Sequence, residues 1–290
     1  MSRSERQALK AMLVTVLLLL AASTLLFAQS QPRVITRTFD PDPDRPLRVM
    51  IRGDGAEVKL ENVSRSDQGR ARYRYHEDHF SGTLDWESER NTFEVTLEME
   101  VSSFDTDDET QESELEVLLP GRPEIDLDVT LKAGVISLDG DGLTFDALDL
   151  SLWAGELNAS FPTRSDRVIN RVEADVKLGE MRLENLGNLA FEELNVNGFA
   201  GEVVLDFSGE VSMRREARVD LEIGTVTVIV PKGMTVRSRI SKLGFLAQVD
   251  VPRAWRKDGR YFYSPGASRR EADLMLDIRG GIGEITIVER

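Results

Sequence analysis

The chain has no cysteine among its 290 residues. That excludes a disulfide framework, a thiol nucleophile, a thiolate metal site and an anchor built on a lipidated cysteine. Histidine occurs only at His76 and His79, so no serine nucleophile has a convincing histidine base elsewhere. Positive charge is scarce: 36 Lys and Arg stand against 51 Asp and Glu, a formal net charge of −15. That balance disfavours nucleic acid as a partner. After residue 30 no stretch carries the apolar period of an amphipathic helix, so the expected class is all-β.

What the chain does have is one pattern written five times. An alternating apolar and polar run is interrupted by glycine and followed by a second alternating run, and the glycines are Gly134, Gly155, Gly179, Gly201 and Gly224. Their spacings of 21, 24, 22 and 23 residues indicate stacked coils of about 20–24 residues. In one coil Leu148, Leu150 and Leu152 precede Gly155, and Leu157, Ala159 and Phe161 follow it. Strand side chains alternate between faces, so each half-coil has an apolar face that only a stacked neighbour can help to bury. Glycine suits a bend where a Cβ would obstruct the chain or φ must be positive. The predicted fold is a β-solenoid from about Leu47 to Val288, with an antiparallel meander or sandwich as the alternative. Its inward set is predicted to include Leu150, Leu152, Val176, Leu178, Leu205, Leu221, Ile223 and Val228, and Gly244 continues the glycine phase.

The remainder is organised around that stack. Residues 1–30 read as a secretory signal: Arg3, Arg6 and Lys10 precede the uncharged run Ala11–Ala28, and Ala28-Gln29-Ser30 has the form of a cleavage site. An uncleaved membrane anchor is the competing reading, and either places the rest outside the cytoplasm, in the periplasm or at the cell surface. Residues 31–46, with Pro32, Pro41, Pro43 and Pro46, read as an extended linker. Residues 47–123 form an irregular N-terminal β region, and residues 124–290 the repeat region with an insertion at 251–268. The segment Ser102–Glu112 reads as an acidic loop.

Candidate chemistry is thin. His76-Glu77-Asp78-His79 holds two histidines three apart, which one strand points to opposite faces, so a turn is favoured over a zinc site. Asp139-Gly140-Asp141-Gly142 has the letters of a calcium-binding turn but occurs once, so a tight turn is favoured. No carboxylate pair is singled out for the hydrolase or lyase chemistry of β-helix enzymes, so a carbohydrate-active enzyme on an envelope polysaccharide is only the alternative to a non-catalytic protein. No catalytic, metal or cofactor residue is assigned. Glu156, Glu180 and Glu202 each follow a glycine, and in-register stacking would make them a ladder of like charge.

The strongest local feature is basic. From Arg237 to Arg270 there are nine Lys or Arg and two acids, in a segment that also holds Trp255, Tyr261, Phe262 and Tyr263. Arg253, Trp255, Arg256, Lys257 and Arg260 are the candidate contact residues, for an envelope protein or an anionic envelope surface. The alternative is that the aromatics cap the open end of the stack. The partner's identity and the oligomeric state are not legible.

Several motifs carry a resemblance. Val219-Asp-Leu-Glu-Ile-Gly, Val230-Pro-Lys-Gly, Tyr263-Ser-Pro-Gly and Leu276-Asp-Ile-Arg-Gly-Gly-Ile-Gly-Glu-Ile-Thr-Ile occur in an order similar to the C-terminal domain of LiaF-like cell-wall stress response proteins. From Asp40 to Arg290 the chain resembles the bacterial toast-rack family of adhesin-like proteins; Ile125–Leu138 and Leu148–Leu157 match its repeats. The resemblance implies solenoid-like domains displayed at the cell envelope, working as scaffold or interaction modules in adhesion or stress sensing. LiaF-like members place several membrane helices before this domain, whereas this chain has a single hydrophobic segment.

Overall fold

The computed structural model describes residues 32–63, 66–100, 113–165, 167–210, 213–243 and 246–290. Residues 1–31, the segment 101–112 and Gly244 therefore lie outside the described residues. The strands in chain order are β1 (Arg33–Phe39), β2 (Leu47–Asn62), β3 (Gly69–Tyr75), β4 (Phe80–Glu87), β5 (Thr92–Met99) and β6 (Ser113–Leu119). The long coil strands follow: β7 (Ile125–Asp139), β8 (Phe145–Ser160), β9 (Ile169–Glu184), β10 (Phe191–Asp206) and β11 (Arg215–Val230). The chain closes with β12 (Val236–Lys242), β13 (Ala247–Asp250), β14 (Arg256–Asp258), β15 (Tyr261–Tyr263) and β16 (Leu274–Glu289). All sixteen belong to one continuous sheet that is not closed into a barrel.

The glycine phase becomes a physical ladder. Parallel pairing places Ala56, Gly134, Gly155, Gly179, Gly201, Gly224 and Gly283 side by side across β2, β7, β8, β9, β10, β11 and β16. Each glycine turns its strand over, so both halves present their apolar faces to one core. In β8 Leu148, Leu150 and Leu152 before the bend and Leu157, Ala159 and Phe161 after it are all buried in that core. Both reasons for glycine hold at Gly201: its φ is +149°, and a Cβ there would lie 1.7 Å from the Gly179 carbonyl oxygen.

The bend also corrects the inward set. Leu150, Leu152, Val176, Leu205, Leu221 and Val228 are buried, whereas Leu178 and Ile223 are exposed. Alternation carried through the glycine would put both inside. The bend instead shifts the phase: Val176 is buried, Lys177 through Glu180 are not, and Met181 is buried again.

Each end of the stack is finished by an excursion of the chain. At the N-terminal end β5 pairs with the first half of β2 and β6 with its second half, while β7 pairs along the other side. β4 then covers β5, β3 covers β6, and β1 covers β3, all antiparallel. Residues 31–46 are therefore not a linker. Arg33–Phe39 is a strand of this cap, and Phe39 is buried with its ring stacked 4.4 Å from that of Phe93. The turn that follows is tied down by buried Asn91, whose amide donates to the Arg45 and Pro46 carbonyls at 2.9 and 3.0 Å. β2 is in register with β7, so the coil stack includes part of the N-terminal region.

At the C-terminal end β16 slots between β11 and the pair β12 and β13. Gly283, not Gly244, is the ladder neighbour of Gly224. β15 then pairs antiparallel with β12, and β14 with β15.

Candidate functional site

The basic segment caps the C-terminal end of the stack. Residues 256–263 are not a loose insertion but the β14–β15 hairpin, which extends one half of the sheet beyond β12. On β12 the residues Val236, Ser238 and Ile240 face inward, and Arg237 and Arg239 face outward. Pairing sets Ser238 beside Phe262 and Phe262 beside Lys257, and it sets Arg237 beside Tyr263 and Tyr263 beside Arg256. The five candidate residues are thereby divided between surfaces. Arg256 lies on the outward face, its guanidinium 4.6 Å from the Tyr263 ring centre. Lys257 lies on the inward face, its ammonium 5.3 Å from the Phe262 ring centre. Arg253 is exposed in the turn before the hairpin.

Trp255 is a correction. It is 7% exposed and part of the core, and its indole N–H donates to Glu289 at 2.6 Å. It closes the end of the core instead of offering a contact. An aromatic in a basic loop has the same sequence signature whether it caps or binds. Only the position of β16, which brings Glu289 beneath it, separates the two roles.

The inward face opens as a cleft of about 670 Å³ between β12, β13 and the hairpin. Ile240, Val249 and Phe262 give it an apolar floor, and Lys242, Lys257 and Arg260 are its cations. Lys242 donates to the Ala247 carbonyl, and among the described residues no ion pair engages Lys257 or Arg260. The outward face is largely neutralised. Arg239 reaches Asp277 at 3.4 Å, and Asp258 receives Arg269 at 3.1 Å and Arg256 at 4.0 Å. Lys242 and the apolar floor are not legible in sequence, because the hairpin pairs with β12 residues that lie more than twenty positions earlier.

Elsewhere the candidate chemistry resolves as turns. His76 through Phe80 close a turn in which the His79 and Phe80 amides donate to the His76 carbonyl at 3.1 and 2.9 Å. Asp139 accepts from the Asp141 amide at 3.1 Å, and Gly142 takes a φ of +67°. Among the described residues no three His, Asp or Glu side chains group as a metal site. Glu156, Glu180 and Glu202 do stand side by side in register, exposed to water, where solvent screens like charges.

Four carboxyls are held away from their ordinary range. A hydrogen bond from Arg74 at 3.0 Å, helped by Lys59, holds Glu114 down, and Lys132 with the Met99 amide holds Asp54 down. Burial pushes Asp149 up, with Asp128, Glu173 and Asp175 adding repulsion. Burial likewise raises Asp126, against the pull of Arg48. Glycosidase chemistry needs a raised carboxyl beside a cleft. Asp126 and Asp149 do not line the cap cleft.

Fold and site together define an all-β stack of parallel coils, bent at a glycine ladder and closed by a cationic, aromatic cap. No protein-family model matches the chain, and no curated protein does. Among solved structures it is similar to a proposed cell adhesion protein from Clostridium sporogenes, at 14% identity and a TM-score of 0.45 over 90% of this chain and 100% of that one. A proposed adhesin from Bacteroides fragilis matches at 11% identity and a TM-score of 0.39, over 88% of this chain and 97% of that one. A proposed lipid-binding protein from Parabacteroides distasonis matches at 11% identity and a TM-score of 0.36, over 90% and 98%.

Proposed function

We propose that the protein is a non-catalytic, exported interaction module whose stacked coils hold a cationic cap against an anionic surface of the cell envelope. The observation that supports this best is the cap cleft, where Lys242, Lys257 and Arg260 surround a floor of Ile240, Val249 and Phe262. Cations around an apolar floor suit an anionic group that carries hydrocarbon. The rest of the molecule repels anions, so the cap also orients approach: the chain is −15 overall although its cap segment carries a surplus of seven positive charges. The solenoid supplies rigidity, and the segment at residues 1–30 supplies export. Adhesion, or stress sensing of the kind the LiaF-like motifs imply, would use this same end.

The test is sedimentation of the full chain with phosphatidylglycerol-containing vesicles at increasing salt. The triple change Lys242→Ser, Lys257→Ser, Arg260→Ser is expected to weaken the salt-sensitive binding at least tenfold with an unchanged melting temperature. A parallel Arg253→Ser, Arg256→Ser pair on the turn and outward face is expected to have a smaller effect. Unchanged binding by the cleft variant, or a melting loss as large as that of a core truncation, would refute the proposal.

A further inference from the structure

The bend edge carries a second surface that the repeat pattern does not require. Large apolar side chains stand in solvent there, one per coil: Trp153 is 62% exposed on β8, Leu178 42% on β9, Phe199 51% on β10, Ile223 44% on β11 and Ile282 45% on β16. Leu243, 59% exposed, extends the row at the end of β12, where its amide donates to the Gly280 carbonyl. The register arranges them in a zigzag. Ala154, Leu178, Ala200, Ile223 and Ile282 form one row beside the glycines. Trp153 and Phe199 precede Ala154 and Ala200, whereas the charged Lys177 and Glu222 precede Leu178 and Ile223. Each coil thus offers one large apolar group and keeps the adjoining position small or charged. From Trp153 to Leu243 the row crosses five strand steps, about 24 Å.

None of these side chains belongs to the buried core, and an exposed apolar row of this length invites association. The row follows the glycine positions at which each strand bends. A protein groove would have to match the alternation of large and small side chains along the row, whereas a bilayer interface adapts to it. Aromatic and aliphatic side chains are what a headgroup boundary accepts, and here they stand beside Lys177 and Lys242 as well as Glu222. A further observation favours lipid: the row runs into the cationic cap at Lys242 and Leu243. The glutamates at 156, 180 and 202 flank the row on its other side, so the edge must enter tilted, with that flank toward water.

We propose that the bend edge is a bilayer-insertion ridge: Trp153, Leu178, Phe199, Ile223 and Ile282 enter the headgroup boundary, and the solenoid axis lies along the membrane. This rests on reading the chain as an envelope protein, and it names lipid as the surface that the cap meets.

The chain carries its own probe. Of three tryptophans, Trp255 is buried and Trp86 half-buried, and only Trp153 is exposed. The full chain is bound to phosphatidylcholine–phosphatidylglycerol vesicles containing brominated lipid, with Trp153→Phe identifying the Trp153 emission. Bromolipid is expected to quench that emission at least twofold, and the vesicles to shield it from aqueous acrylamide at least threefold. Leu178→Ser, Phe199→Ser, Ile223→Ser is expected to abolish the quenching. Trp153 emission that stays unquenched on vesicle-bound wild-type chain would overturn the ridge, and cap-dependent binding that persists beside it would leave the cap reading intact. A lipid-free dimer that shields Trp153 and is lost in the triple variant would assign the edge to a second copy and overturn the ridge equally.

Discussion

Replacing Gly201 by alanine tests the glycine ladder most directly, provided it is compared with Gly233→Ala. Both glycines have positive φ, +149° at Gly201 and +89° at Gly233, so both alanines carry a conformational penalty of roughly 1–3 kcal/mol. Only one meets an obstacle. A Cβ at Gly201 would sit 1.7 Å from the Gly179 carbonyl oxygen, and one at Gly233 has nothing within 4 Å. Carbon and carbonyl oxygen stay about 3.3 Å apart even in weak C–H···O contacts, so neighbouring coils must separate by about 1.6 Å. That movement breaks or stretches at least two ladder hydrogen bonds at roughly 1 kcal/mol each. Gly201→Ala is therefore expected to cost about 3–5 kcal/mol or more, and Gly233→Ala about 1–3 kcal/mol. Urea unfolding of the two full-length variants followed by circular dichroism measures the difference. Failure of only the Gly201 variant to fold counts as the larger loss. Equal losses would show that the glycines serve conformation alone and that the close coil-to-coil approach is unimportant.

Two further predictions follow from the same geometry. Leu221 is buried and Ile223, two residues on, is exposed; Leu221→Ala is expected to cost about 2–5 kcal/mol and Ile223→Ala about 0.5 kcal/mol or less in lipid-free buffer, by thermal melting. Glu114 and Asp149 should respond to pH with opposite sign. The folded state holds Glu114 down, so its stabilisation is present above the unfolded value of about 4.3 and lost as pH falls through the depressed folded value. Glu114→Gln is therefore expected to destabilise at pH 7, and the deficit to vanish in acid. Asp149 is held up, so its ionised form penalises the folded state at neutral pH and the penalty fades as pH falls through the raised folded value. Asp149→Asn is expected to raise the melting temperature at pH 7, and melting curves from pH 7 to pH 3 that show both variants shifting the same way would contradict the assignment.

The coil stack was legible because its signal is redundant. Five glycines at constant phase and two-residue alternation on both sides leave few other folds. Legibility ended wherever contact depends on a partner distant in sequence. Leu178 and Ile223 obey the strand alternation perfectly in sequence, and only the phase shift at the bend turns them outward. Gly244 has the right spacing to follow Gly224, but spacing counts residues along the chain, whereas the ladder is built by β16, some sixty residues on. Arg33–Phe39 looked like a linker because prolines flank it, yet the strand itself contains none. The basic segment is visible in the sequence, but the burial of Trp255 is not. Charge density survives any fold, but whether Trp255 points in or out is decided by Glu289.

The dependence of that cap on β16 joins the fold to the proposed function. β12 pairs with β16 and β15, and β13 with β16. Neither lies against β11, which precedes them in sequence, because β16 occupies that edge. The cap's side-chain ties run the same way: Trp255 to Glu289 and Arg239 to Asp277, both on β16. The cationic cleft therefore has no direct seat on the coils that make up most of the core. It is assembled only when β16 is in register with β11 through Gly224 and Gly283, where a Cβ on Gly283 would lie 1.8 Å from the Gly224 carbonyl oxygen. An end strand wedged between two others also leaves no long edge of coil strands open, and the short hairpin presents its unpaired groups among Lys and Arg, a composition that discourages strand addition. The same positive charge would serve two ends: it discourages the terminal edge from pairing with another chain, and under the proposed function it is what an anionic surface would meet.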